Sequence, residues 1–199
     1  QTLQKLFKKN ILRIATAFVF WSVLYACWRY FVTHEKHSMR EMLLSMIKGH
    51  YHMWFLFIIV GLYLIVPFLN KIVENQKLAV YFVILAFLFA FLFPQMIELI
   101  GLKYPGPSEI MNEFISKFRM EFVLGYSGYF VLGYLLNRMR INKIAEIIIY
   151  LLGISGFVIT IVVSARFARA DISTEIVFDE LTVNVLLCSA AVFVFAKQH

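Results

Sequence analysis

Cysteine is almost missing from the chain: Cys27 and Cys188 are the only two in 199 residues, and each sits inside an apolar run. That excludes a disulfide framework and leaves the redox compartment unread. Charge is also scarce, with Asp, Glu, Lys and Arg making up 16% of the residues. There is no glycine-rich phosphate loop, no G-x-S-x-G elbow and no H-E-x-x-H metalloprotease motif, so those nucleotide-binding and hydrolytic chemistries have no footing here. No signal peptide opens the chain, which begins on Gln1 with a basic polar segment; a Gln rather than a Met suggests a piece of something longer.

What is present is apolar. Hydrophobic residues are 61% of the chain, aromatics 17%, and the mean hydropathy is +0.78. A soluble domain of this length has too much surface for its volume to hide so much apolar area, so an integral membrane protein is the class that fits. The net charge of +7 would suggest nucleic acid in a soluble protein. In a membrane protein it reads as Lys and Arg retained in cytoplasmic loops, and no nucleic-acid partner is expected.

The organising stretch is Gly49 to Leu69. Seventeen uncharged residues follow His52 and end at Pro67-Phe68-Leu69, before Asn70-Lys71. That length crosses a hydrocarbon core of about 30 Å. Five further spans are predicted around it, at about Ile11–Phe31, Leu78–Ile100, Glu121–Leu136, Ile144–Val163 and from Leu181 to the end. The fold class is therefore all-α, a polytopic bundle of about six spanning helices with short amphipathic interfacial ones. Ser38-Met39-Arg40-Glu41 matches a capping box, and Met39, Met42, Leu43, Met46 and Ile47 form one helical stripe, so residues 38–48 read as a helix lying on the membrane. Ile110, Met111, Phe114, Ile115 and Phe118 mark a second amphipathic piece after a rigid turn at Tyr104-Pro105-Gly106-Pro107. Pro94 is expected to kink the third span, and Gly153-Ile154-Ser155-Gly156 to be a weak point in the fifth. Gly125 and Gly128 permit close helix approach in the fourth.

If six spans alternate sides with the N-terminus inside, the inner face carries ten basic residues against Glu74 and Glu146. The outer face carries nine against ten acids, spread over longer loops. A cytoplasmic N-terminus is thus favoured, with His34, His37, His50 and His52 outside. His50 and His52 would point to opposite sides of a helix, which makes them poor co-ligands, and no metal site is expected. His52 abuts an apolar run, where a titratable group needs a partner or a task; the plainer reading is an interfacial anchor with Trp54. Lys8, Lys9 and Arg13 are either topology determinants or a phosphate-binding set. The tyrosines of the fourth span either line a polar lumen or pack against neighbours.

Several stretches, in order, resemble one family. His52-Met53-Trp54-Phe55-Leu56, followed by Leu62-Tyr63-Leu64-Ile65-Val66-Pro67, is similar to the H-L-W-F-L…L-Y-L-x-x-P signature of membrane acyltransferase family 3. Lys8-Lys9-Asn10-Ile11-Leu12-Arg13-Ile14 resembles the basic start of that family's third helix. Gly125-Tyr126-Ser127-Gly128-Tyr129-Phe130-Val131-Leu132-Gly133-Tyr134 resembles its "GYxGYFxLGY" helix. Leu181 to Leu187, with Val192-Phe193, resembles a late helix of the group that includes the O-acetyltransferases of surface polysaccharides.

The resemblance implies a ten-helix membrane enzyme that moves an acyl group, usually acetyl from cytoplasmic acetyl-CoA, to an extracytoplasmic acceptor such as a glycan hydroxyl or a lipid-linked glycan. It implies residence in the plasma or inner membrane, lipid contacts, and no permanently bound cofactor. The family's basic motif is commonly R-x-x-R; here Asn10 takes the first Arg position, with Lys9 beside it and Arg13 as the second. Lys9 and Arg13 would then bind the donor, His52 would be the candidate catalytic residue, and Trp54, Tyr126 and Tyr129 would line the substrate path. The family's Arg-x10-His motif, whose His is its presumed base, has no counterpart in these residues. Residues 1–199 therefore read as one acyltransferase-like domain lacking the first two and the last helices, its main catalytic His elsewhere. The competing class is a transporter or flippase for a glycan or lipid precursor, for which internal repeats would be expected; none is found.

Overall fold

A computed structural model of the protein describes residues 10–32, 54–118, 120–170, 172 and 175–199. All regular structure among them is helical. The helices are α1 (Leu12–Val32), α2 (Trp54–Glu74), α3 (Gln76–Gly101), α4 (Pro105–Ser116), α5 (Met120–Arg138), α6 (Lys143–Arg169), α7 (Glu175–Phe178) and α8 (Val183–Gln198). Among the described residues, α2, α3, α6 and the segment Ile176–Gln198 are long and apolar enough to cross a membrane, while α1 supplies a shorter apolar stretch, Leu12–Tyr25. Helix α5 falls outside that set because Gly125, Ser127, Gly128, Gly133 and its three tyrosines dilute its hydropathy. The histidines at 34, 37, 50 and 52, and the amphipathic helix expected over 38–48, lie outside the described residues.

The chain divides into two compact units, residues 1–68 and 69–199. In the first, the ring of Phe18 meets that of Phe57 edge-on, with centroids 4.9 Å apart. Ser22 is buried and its Oγ makes no hydrogen bond.

Several element ends differ from the sequence expectation, each for a local reason. Helix α2 does not stop at Leu69 but runs on, with Pro67 inside it, to Glu74. Its stop is set by Asn75, whose Oδ1 accepts from the N–H groups of Lys77 and Leu78 at 3.0 and 3.3 Å and so caps α3. Pro94 lies within a continuous α3, preceded by a π-helical stretch at Phe87–Leu92. There the N–H of Phe93 reaches back five residues to the carbonyl of Leu88. The widened turn accommodates a ring that has no N–H to give. The Pro105-Gly106-Pro107 segment is no separate turn: it forms the first turn of α4, where a proline's missing donor costs nothing.

In the second unit, Leu69 and Val73 from α2, Ala79 from α3, and Val131 and Leu135 from α5 form one buried cluster. A second joins Ala86, Ala90 and Phe91 of α3 to Leu124 of α5 and Leu186 of α8. Gly128 lets α5 approach α3: a methyl group there would lie 2.7 Å from Ala86 Cβ. The expected weak point in the fifth span is instead a packing face. Helix α6 is unbroken over 27 residues, and Gly153 and Gly156 are buried against α8.

Candidate functional site

Polar side chains of the second unit gather where the C-terminal half of α3, the N-terminal half of α5 and the link between α7 and α8 converge. Asn184, in the first turn of α8, is buried at 5% exposure. Its amide nitrogen donates to the carbonyl of Val177 at 2.6 Å and to Thr160 Oγ1 at 2.7 Å. Its Oδ1 accepts from Gln95 Nε2 at 2.9 Å, and that nitrogen also donates to the Ile176 carbonyl at 3.2 Å. Gln95 Oε1 in turn accepts the N–H of Val183 at 3.0 Å. Thr160 completes the chain by donating to the Gly156 carbonyl at 2.9 Å. Helices α3, α6 and α8, and α7, from which the link to α8 runs, are thus joined by two side-chain amides and a hydroxyl in a region where an unmet polar group would be costly.

A second set of bonds holds the same link from the side of α5. The Tyr126 hydroxyl donates to the Glu180 carboxylate, and the Tyr129 hydroxyl to the Glu180 backbone carbonyl at 2.6 Å. The Tyr129 ring packs edge-on against Phe91, with centroids 5.1 Å apart. Asp179 orders the turn itself: its Oδ1 accepts the N–H of Leu181 at 2.7 Å, and its carbonyl accepts from Thr182 Oγ1 at 2.7 Å. Beside this turn lies a cleft of about 170 Å³ lined by Ala90, Pro94, Gln95, Glu98, Asp179, Leu181 and Thr182. Its charge is acidic, from Glu98 and Asp179, against an apolar wall of Ala90, Pro94 and Leu181.

The sequence-derived candidates fare unequally. Tyr126 and Tyr129 come together, but on Glu180, where they fasten a connection. Arg13 stands exposed in the first turn of α1, and Trp54, 47% exposed, opens α2. Lys9 and His52 lie outside the described residues. No group of three His, Cys, Asp or Glu is placed to hold a metal ion among the described residues. Sequence reading missed Gln95, Thr160, Asn184 and Glu180. The signal available was a carboxamide within an apolar run, which membrane energetics makes expensive unless it is bonded.

The opposite end of this unit is closed by Lys197. Its Nζ donates to the carbonyls of Leu136 and Met139, each at 2.8 Å, so a cation caps the C-terminus of α5.

The family model described as an acyltransferase domain matches residues 1–198. The chain belongs to acyltransferase family 3. Neither the curated proteins nor the solved structures contain a significant match to it. This family makes the protein a membrane acyltransferase at the level of reaction class, and the match gives the transporter reading no support. In this acyltransferase α5, through Tyr126 and Tyr129, is the element that grips the α7–α8 link.

Proposed function

We propose that this acyltransferase transfers an acetyl group from cytoplasmic acetyl-CoA to a hydroxyl of an extracytoplasmic glycan or lipid-linked glycan, as an O-acetyltransferase of the plasma or inner membrane. The observation that carries the reading is the acyltransferase-domain match over residues 1–198. In the reaction, a base takes the proton of the acceptor hydroxyl and its oxygen attacks the thioester carbonyl. The C–S bond then breaks, CoA leaves as the thiolate and takes up a proton, and an ester remains on the acceptor. Arg13 with Lys9 is assigned to the donor's phosphates, where a guanidinium offers paired N–H groups. His52 is the candidate catalytic residue on the acceptor side, where with Trp54 it shapes and orients the acceptor. Tyr126 and Tyr129 are assigned to the substrate path through the Glu180 link they hold. The edge-on contact of Phe18 with Phe57 sets α1, which carries Arg13, against α2, which carries Trp54.

The test is acetyl transfer from labelled acetyl-CoA in membranes containing the complete protein. A misplaced acceptor costs about 10²-fold, so His52→Ala is expected to lose transfer on that scale. Arg13→Ala is expected to raise the acetyl-CoA concentration needed for half-maximal rate. Undiminished transfer by both variants would remove the two assignments; no acetyl transfer by the unaltered protein with any glycan acceptor would remove the reading itself.

A further inference from the structure

Helix α4 carries an apolar surface that the fold leaves uncovered. Ile110 is 72% exposed and Phe114 62%, with Met111 and, just past the helix, Phe118 also open. At about 100° per residue these positions fall within one arc of roughly a third of the helix. Glu109, Asn112, Glu113 and Ser116 occupy the other side. The flank between the two arcs is where the helix docks: Ser108 is buried, and a methyl group added at Gly101 would lie 2.8 Å from its Oγ. The apolar arc therefore points away from the unit that holds the helix.

We propose that this face of α4 is a lipid-binding surface, lying in the plane of the leaflet at the boundary of headgroups and acyl chains. Three observations commit it to lipid. Helix α4 follows the last turn of α3, a segment able to cross the membrane, after only Leu102-Lys103-Tyr104, so its start is held at the depth where that span ends. The last turns of α3 already expose Met96, Leu99 and Ile100, with Leu102 just past it, and the α4 arc continues that apolar surface along the chain. The ends of α4 also carry interfacial chemistry: Lys103, its Nζ 5.4 Å from the centroid of the exposed Tyr104 ring, precedes it, and Lys117 follows it. Lysines there can reach phosphates while an aromatic ring sits at headgroup level. A short helix with one apolar and one polar side is the form such a surface takes.

The test places a nitroxide at single cysteines, Phe114→Cys and Asn112→Cys, in the complete protein carrying Cys27→Ala and Cys188→Ala, reconstituted in phosphatidylcholine–phosphatidylglycerol vesicles. Collision with oxygen, which concentrates in the bilayer, is compared with collision with a water-soluble nickel chelate. The expected result is that oxygen collisions dominate at 114 and nickel collisions at 112, a reversal of the ratio across the helix. A label at 114 open to nickel would mean that the arc faces water. A label shielded from both would mean that another protein segment covers it. Either outcome overturns the proposal, and the mobility of the Asn112 label, read from its spectral line shape, reports whether the helix is folded in the same preparation.

Discussion

Asn184 makes two donations and one acceptance where α8 meets α3, α6 and α7, and no smaller or apolar side chain can replace all three. Asn184→Leu would leave the Val177 carbonyl buried with its donor gone. A loss of that kind costs about 1–3 kcal/mol, to be read as a lower midpoint of thermal unfolding in detergent; an unchanged midpoint would mean that the network carries no net stability. Tyr126→Phe removes a single hydroxyl donated to the Glu180 carboxylate. Because Tyr129 still holds the Glu180 carbonyl, the expected effect is local. Amide exchange should quicken at Leu181 and Thr182, while exchange in α6 should not change. Equal protection in both proteins would show that Tyr129 and Asp179 hold the link alone.

At the scale of elements, the small residues decide which helices touch. A methyl group at Gly156 would stand 2.7 Å from the Asn184 carbonyl, and one at Gly153 would collide with Ala191. Both obstacles belong to α8, one of them to its backbone, so α6 and α8 would have to separate. Gly156→Leu is expected to destabilise by about 1–3 kcal/mol or more, the usual cost of overpacking. Gly61 in α2 has nothing within 4 Å of an added methyl. Gly61→Ala is thus expected to be neutral or, by raising helix propensity up to ~1 kcal/mol, stabilising. Unfolding midpoints of the two variants, measured side by side, check the contrast. A Gly156 variant as stable as the parent would mean that the two helices are not held at this distance.

For the molecule as a whole, the outer surface is what its composition required. Helix α6 exposes Ile144, Ile147, Leu151, Ile154, Val158 and Ile161, a surface suited to lipid and to nothing aqueous. Polar groups are instead drawn inward, to the amides around Asn184 and the link held by Tyr126 and Tyr129. The acidic cleft beside that link and the Lys197 cap belong to opposite ends of the second unit, as alternating α3, α5, α6 and α8 would have it. The first unit is where the Arg13 and His52 variants of the acetyl-transfer assay carry the functional question.

Much was legible in the residues themselves. Hydropathy and length dictated an all-helical membrane protein, because an apolar run long enough to cross a bilayer must bond its own backbone there. The ordered motifs around His52, Trp54 and Gly125 to Tyr134 pointed to the acyltransferase family. The stop after Pro67, at Leu69, and the turn at Pro105 were misread because a proline's effect depends on whether neighbouring carbonyls find other donors or its own donor was spare, which only the folded chain settles. Likewise, nothing in the spacing of Gln95, Thr160 and Asn184 brings them together. They meet because α3, α6 and α8 converge, and that convergence is decided by side chains and glycines far apart in sequence. The tyrosines of α5 looked equally suited to lipid, a lumen or a neighbour, and it was the packing of the α7–α8 link beside them that assigned their hydroxyls to Glu180.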